Sequence, residues 1–198
     1  TFSRRELLAR AAAAAGVLPL ATLTAAPPVK RRPNIVMILS DDQGYGDLGC
    51  YGAKDLRTPV TDRLADQGVR FTQYYAAAPE CSPTRTALLT GRYLQRVGGL
   101  ECAIGVGNVG RYDDAIRLAS RHDLGLPSEL ATLPRALKAA GYATAVYGKW
   151  HLGYEEKFRP SRCGFDEFVG VLGGNCDYFH HCRSEEHTSE LQSLRVIS

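Results

Sequence analysis

A cysteine, a proline and an arginine lie close together in the run Cys81-Ser82-Pro83-Thr84-Arg85, which continues as TALLTGR. Ser82 is a favourable N-cap and Pro83 suits the first helical position, so the run predicts a helix that begins just after Cys81. The free N–H groups and positive dipole at such a helix end favour an anion. Arg85 lies one turn further on, and its guanidinium is expected to lean back towards Cys81.

Two aspartates follow a continuous apolar run. Asn34–Ser40 has no polar face, which predicts a strand buried on both sides in a parallel sheet. Asp41 and Asp42 come next, at the strand's carboxyl end, where α/β proteins carry their ligand sites. Adjacent carboxylates repel each other unless a cation neutralises them, and hard divalent cations prefer oxygen ligands. A solvated acidic turn is the alternative that the local sequence leaves open.

A second polar pair follows another predicted strand. Tyr142–Tyr147 is rich in β-branched and aromatic residues, and the run GKWHLG comes directly after it. If the strand geometry continues, Lys149 and His151 point to the same side. The alternative is a surface lysine beside a packed histidine.

Helices and strands are expected to alternate along the rest of the chain, which indicates an α/β fold with a largely parallel sheet. The remaining expected elements are a helix from Pro59 to Gly68 with Val60 and Leu64 facing the core, a strand over Val69–Tyr75, a loop over Arg96–Gly110, a helix over Tyr112–Arg121 with Ile116, Leu118 and Ala119 inward, and a helix over Thr132–Ala140 with Leu133, Leu137 and Ala140 on its inner face.

Three motifs together resemble the type I sulfatases. They are CSPTRTALLTGR, whose C-x-P-x-R pattern marks a cysteine converted to formylglycine in that family, NIVMILSDDQGYGDLGCYG, and GKWHLG. The resemblance covers about Asn34–His181 and implies an alkaline-phosphatase-like α/β sandwich with a largely parallel central sheet. It reaches only the N-terminal half of the catalytic domain, so we expect this chain to be an incomplete fragment that lacks the family's later metal ligands.

The resemblance also implies a reaction and its residues, namely hydrolysis of sulfate monoesters by a formylglycine hydrate at Cys81. It assigns Arg85, Lys149 and His151 to catalysis, Lys149 in addition to sulfate binding, and Asp41, Asp42 and the residue at 81 to a divalent metal. We expect that metal to be Ca²⁺ rather than Mg²⁺. The expected partners are a sulfated small molecule or carbohydrate and a formylglycine-generating enzyme.

Other functions are weighed against this one. A phosphomonoester or phosphonate hydrolase on the related alkaline-phosphatase fold, or a non-catalytic carbohydrate-binding relative, would share part of the pattern. A thiol-dependent phosphatase would need a longer spacing between its cysteine and arginine than the one between Cys81 and Arg85, so that a loop could wrap around the phosphate. The six cysteines contain no C-x₂-C pair, which argues against a zinc site, and they leave disulfide pairing open. We expect no nucleic acid partner, because the excess of basic residues is confined to residues 1–32.

Four segments are expected along the chain. Residues 1–26 resemble a twin-arginine signal peptide, with Arg4 and Arg5 before an apolar run that is too short for the roughly 20 residues of a membrane span. Residues 27–33 form a linker, and residues 34–182 form the N-terminal part of the catalytic domain. Residues 183–198 include a match to one translated frame of a sequencing adapter, and we interpret them as an assembly artefact. This organisation predicts an exported bacterial protein, periplasmic or secreted, without stable membrane insertion.

The leader generates the first prediction. Replacing Arg4 and Arg5 with lysine should hold the precursor in the cytoplasm, because a twin-arginine signal is read by its arginine pair rather than by its charge. Cell fractionation followed by immunoblotting measures this, with Arg10→Lys as the matched control outside the pair. Unchanged periplasmic accumulation of the double variant would contradict the assignment.

Overall fold

The structure, a computed structural model, describes residues 32–105 and 113–174. Within these ranges the chain forms six regular elements and five short 3₁₀ segments, joined by loops. The helices are α1 (Pro59–Gln67), α2 (Cys81–Thr90), α3 (Asp113–Ala119) and α4 (Leu133–Ala139), and the strands are β1 (Ala145–Lys149) and β2 (Glu167–Val171). The 3₁₀ segments are Tyr45–Asp47, Gly49–Tyr51, Leu94–Arg96, Glu156–Phe158 and Pro160–Cys163. No helix within the described ranges is long and apolar enough to cross a membrane.

Residues up to Ser40 form a unit of their own. Its described part, residues 32–40, has no regular secondary structure, and Val36 and Ile38 are 82% and 86% exposed. The predicted strand over Asn34–Ser40 is therefore wrong for this structure. A strand needs a hydrogen-bonding neighbour, and within the described residues β1 and β2 pair only with each other. The predicted leader and the predicted artefact at residues 183–198 lie outside the described residues.

The sheet consists of β1 and β2, which pair in parallel with Val146 opposite Phe168 and Lys149 opposite Val171. The sequence predicted β1 over Tyr142–Tyr147, so the predicted start is three residues too early. No strand was predicted at β2. Parallel pairing requires a crossover, and here Glu156–Phe158 and Pro160–Cys163 provide it between the strands. The predicted α/β class with parallel pairing is confirmed.

The hydrophobic core collects residues from loops as much as from regular elements. Its buried members are Leu89, Leu100, Ile104, Ala115, Leu124, Leu126, Trp150, Leu152, Cys163 and Phe168. Trp150 is fixed there because its indole N–H donates to the Phe158 carbonyl at 2.9 Å. Of the loop predicted over Arg96–Gly110, Arg96 ends a 3₁₀ segment, residues 97–105 are irregular as predicted, and residues 106–110 lie outside the described residues. The irregular part supplies Leu100 and Ile104 to the core.

Several predicted core faces are wrong. Val60 and Leu64 on α1 are 70% and 67% exposed, and Ile116 on α3 is 51% exposed, with Ala115 buried in its place. On α4, Pro134 is buried, whereas Leu133 is 39% exposed and Ala140 is also exposed. Residues 69–75 form no strand and are exposed throughout. The physical reason is common to these errors: an apolar stripe is buried only where another element lies against it.

Gly164 sits at the turn into β2 and cannot carry a side chain. Its φ is +108°, a region that L-residues avoid. A Cβ there would also lie 2.8 Å from the backbone nitrogen and 2.6 Å from Cγ of Arg135 on α4. The glycine thus allows the turn before β2 to lie directly on α4.

Replacing Gly164 with alanine should destabilise the fold by about 2 kcal/mol, since backbone strain and a steric clash with α4 add together. Urea unfolding followed by circular dichroism measures the change. Gly46→Ala is the control, because a Cβ at Gly46 meets nothing within 4 Å. Equal midpoints for the two variants would contradict this account of Gly164.

Candidate active site

Helix α2 starts at Cys81 itself, so the predicted start, with Pro83 as the first helical residue, is two residues late. Glu80 is the N-cap residue, with extended φ and ψ of −134° and 161°, and its carbonyl accepts from the Thr84 amide at 3.2 Å. Pro83 is the third helical residue, still within the first turn, where its missing N–H leaves no hydrogen bond unmade. Cys81 therefore belongs to the first turn, whose free N–H groups favour negative charge.

The residues on either side of Cys81 are held by an adjoining loop. The Glu80 carboxylate accepts from the Ala103 amide at 2.5 Å, and the Ser82 hydroxyl accepts from the Ile104 amide at 3.2 Å. Ser82 is completely buried. Its predicted capping role is wrong because this hydroxyl serves a distant amide instead of the helix's own N–H groups. These bonds fix the start of α2 against residues 103–104.

Asp41 brings two cations together. One oxygen, Oδ2, accepts from the Arg85 guanidinium at 2.9 Å and lies 3.0 Å from the Lys149 ammonium, which also donates to Oδ1 at 3.1 Å. Arg85 and Lys149 are each only 14% exposed in their side chains, and Asp41 is 40% exposed. Burial on its own would raise the pKa of Asp41, but the hydrogen bonds and charges of Lys149 and Arg85 outweigh it and lower the pKa.

Lys149 joins this carboxylate to the cysteine. Its ammonium donates to Cys81 Sγ at 3.0 Å, and its backbone carbonyl accepts from the Arg85 guanidinium at 2.7 Å. Burial lowers the pKa of Lys149, but its hydrogen bonds to Cys81 and Asp41 have the larger combined effect and raise it. Lys149 therefore stays charged at neutral pH. The predicted lean of Arg85 towards Cys81 is replaced by contacts with Asp41 and the Lys149 carbonyl.

Asp41, Asp42 and Cys81 come close enough to share one ion. Each offers a ligand atom, and these atoms all lie within 4.8 Å of one another. Asp42 has a φ of +55° and is exposed. Aspartate tolerates this left-handed conformation better than most residues. The structure thus brings together the three residues that the sequence grouped as metal ligands.

His151 takes a different course from Lys149. β1 ends at Lys149, and His151 has a φ of +57°, so the alternation that would align the two side chains stops. The His151 ring is buried and its Nε2 contacts the Ile104 carbonyl. Burial lowers the pKa of His151, and the charges of Lys149 and Arg85 lower it further despite the opposing carbonyl contact. The charges of the cluster therefore act on the ring, but the ring contacts the Ile104 carbonyl rather than the Asp41 and Cys81 side chains that Lys149 contacts.

Three features of the site escaped the sequence reading. The Glu80 carboxylate accepts from the Ala103 amide, the Ile104 backbone carbonyl contacts His151, and Gly174 lies against the His151 ring, where a Cβ would come within 2.6 Å of Cε1. The backbone amide and carbonyl in these contacts carry no residue-type signal, and the repeated glycines at positions 173 and 174 offered the one hint.

The cluster as a whole suits an anionic substrate. A partly buried sulfur at a helix start lies beside a charged lysine, and two carboxylates adjoin it. Fixed positive groups in a poorly solvated site stabilise negative charge that develops on a transferring group.

Comparison with known proteins identifies the family. The family model described as Sulfatase matches residues 33–193, which is most of the chain. The chain belongs to the sulfatase family, as its motifs predicted.

Curated relatives agree with this assignment. The chain is 44% identical to steryl-sulfatase of Mus musculus over 198 residues, covering 97% of this chain and 30% of that protein. It is 44% identical to arylsulfatase A of Homo sapiens over 154 residues, covering 77% of this chain and 28% of that protein. The chain thus spans about a third of the length of these relatives.

A solved structure supports the fold. Ps i-CgsB matches with a TM-score of 0.62 and 36% sequence identity, over 75% of this chain and 30% of that one. Ps i-CgsB has also been solved in complex with k-i-k-neocarrahexaose. The likeness confirms that the described elements form part of a sulfatase-type α/β domain.

The paired cations yield a stability prediction. Asp41→Asn should destabilise the protein by about 1 kcal/mol, a value reduced by solvent screening, because Arg85 and Lys149 would face each other without their shared carboxylate. Urea unfolding in the presence of a chelator measures the loss.

Asp42→Asn is the matched control, since Asp42 is exposed and asparagine also tolerates its positive φ. It should change the free energy of unfolding by less than about 0.5 kcal/mol. Equal losses in the two variants would contradict a special role of the Asp41 contacts.

Proposed function

We propose that the protein carrying this chain hydrolyses sulfate monoesters, with residue 81 as the nucleophile after conversion to formylglycine. The observation that carries the proposal is the position of Cys81. It begins a helix, accepts a hydrogen bond from Lys149 at 3.0 Å, and lies with two carboxylates within ligand distance. Family membership supports the reaction class.

The donor set tests whether a divalent metal fits here. Asp41 and Asp42 offer hard oxygen atoms, but the encoded Cys81 offers a soft sulfur, which Ca²⁺ and Mg²⁺ bind poorly. Formylglycine at position 81 would replace that sulfur with oxygen and make the set uniform. The residues therefore fit a hard cation once Cys81 is converted, and Ca²⁺ is our preferred ion because it accepts irregular oxygen ligation. A bound divalent ion would supply positive charge next to the sulfate oxygens.

Formylglycine would supply, as its hydrate, one hydroxyl whose oxygen attacks sulfur as the alcohol leaves, and a second hydroxyl that loses its proton so that the aldehyde re-forms as sulfate departs; addition of water would then restore the hydrate. The chain's own residues prepare for this. Lys149, charged and already directed at position 81, binds and orients the sulfate group. Arg85 holds Asp41 and the Lys149 carbonyl in place, so that the ammonium keeps its direction. Orientation of this kind accounts for a large part of catalysis.

His151 is the candidate for the group that accepts a proton from a hydroxyl of the hydrate. Its lowered pKa keeps the ring neutral at neutral pH, so it has a free lone pair for a hydroxyl proton. Burial and the nearby cations both favour that neutral form. Loss of that proton to solvent would return the ring to its neutral form for the next cycle.

A sulfated carbohydrate is the substrate class that we favour. Ps i-CgsB, a structural relative, has been solved in complex with k-i-k-neocarrahexaose. The exported location that the leader predicts would give the enzyme access to carbohydrates outside the cytoplasm. A formylglycine-generating enzyme of the host is the required maturation partner.

Mass spectrometry of residue 81 tests the central claim. Expression in a host with a formylglycine-generating system should convert Cys81 to an aldehyde that reacts with hydrazides, whereas Cys50 in the same sample should remain a thiol. Cys50 is the matched control because it too is partly buried and free. An unmodified thiol at Cys81 in such a host would refute the proposal.

Metal binding and turnover complete the test of the reaction class. Ca²⁺ affinity of the converted protein should fall at least about tenfold in Asp42→Asn, although that substitution spares stability, because one of few charged ligands is lost. Turnover of an aryl sulfate by the protein carrying this chain should greatly exceed turnover of the matching aryl phosphate. The reverse preference would assign a phosphomonoester hydrolase instead.

A further inference from the structure

The protonation of the His151 ring can be inferred from the hydrogen bond that it makes among the described residues. The residue is 5% exposed, and Nε2 contacts the backbone carbonyl of Ile104. A carbonyl oxygen only accepts, so Nε2 must carry the proton. In the neutral ring, Nδ1 then has no proton and presents a lone pair.

Nδ1 has no hydrogen-bond partner within the described residues, although it is buried. Leaving a buried acceptor unpaired costs free energy, so such an atom calls for an explanation. The charged groups that act on the ring are Lys149 and Arg85, which disfavour its protonation, and Asp41, which favours it. All three belong to the cluster around Cys81. An acceptor next to that cluster is suited to a hydroxyl that arrives only after maturation.

The partner of Nε2 is itself anchored to the nucleophile's helix. The Ile104 amide donates to the Ser82 hydroxyl, and the adjacent Ala103 amide donates to Glu80. One peptide segment therefore contacts the start of α2 through its N–H groups and His151 through its carbonyl. The ring lies against Gly174 as well, where a Cβ would come within 3.0 Å of Nε2 and 3.2 Å of Nδ1.

We propose that Ser82, through Ile104, and Gly174 are positioning residues that hold His151 as its Nε2–H tautomer, which leaves Nδ1 as a hydrogen-bond acceptor. Ser82 sets the place of the Ile104 carbonyl, and Gly174 leaves room for the ring to meet it. The inference rests on the proposed function for the identity of the group that Nδ1 serves. The tautomer itself does not depend on formylglycine or on substrate.

Nitrogen NMR of the histidine rings tests this in the protein carrying this chain, with Cys81 left unconverted. At neutral pH, the ¹⁵N signals of His151, assigned by their loss in His151→Asn, should show a protonated Nε2 and an unprotonated Nδ1. Ser82→Ala should turn this single pattern into a mixture of tautomers, whereas Ser82→Thr, which keeps a hydroxyl, should retain it. Thr90→Ala is the matched control, because Thr90 bonds the Thr86 carbonyl in the same helix.

Gly174→Ala provides a second, independent variant. It should displace the ring from the Ile104 carbonyl and also lose the single pattern, even if Ser82→Ala fails to fold. A wild-type ring protonated on Nδ1, or an unchanged pattern in a folded Ser82→Ala or Gly174→Ala protein, would overturn the inference. Because the measurement needs no turnover, its failure is distinguishable from failure of the sulfatase proposal.

Discussion

The carboxylate of Asp41 is the interaction on which the site depends. It lies between the guanidinium of Arg85 on α2 and the ammonium of Lys149 at the end of β1. These two cations are largely buried, and each would be costly to hold in that position without an anion. These contacts hold α2, the end of β1 and the loop at Asp41 in fixed positions relative to one another. Because Cys81 is the first residue of α2, its position is fixed as well.

Charge balance within the cluster explains how the same residues could serve both a metal and a sulfate ester. The carboxylates of Asp41 and Asp42 offset the charges of Arg85 and Lys149, and a neutral His151 adds none. A bound divalent cation would then leave the cluster positive, a state that an anionic sulfate ester relieves. Metal and substrate would therefore favour each other's binding, and in their absence Asp41 keeps the two side-chain cations from repelling each other.

Sequence patterns predicted the parts of this arrangement that local chemistry determines. The start of helix α2 was predicted to within two residues, since a proline in the first turn limits where the helix can begin. The strand before Lys149 was recognised from its residue types. The strand over Asn34–Ser40 was not borne out, because a strand is a property of a pair, and hydrophobicity specifies neither the partner nor its presence.

His151 shows where residue types stop being informative. A period-2 pattern placed it beside Lys149, but Gly148 at φ +110° and His151 itself at φ +57° turn the chain at the strand's end. The turn directs the ring away from the Lys149 side chain and towards the Ile104 carbonyl, a backbone group that any residue could supply. The separation divides the work between the two residues. Lys149 remains charged because it contacts the Asp41 carboxylate and Cys81, whereas His151 remains neutral because it is buried and near cations. Placed side by side in one environment, the two side chains could not hold opposite protonation states so readily, and the proposed reaction, which binds an anion while accepting a proton, would use both.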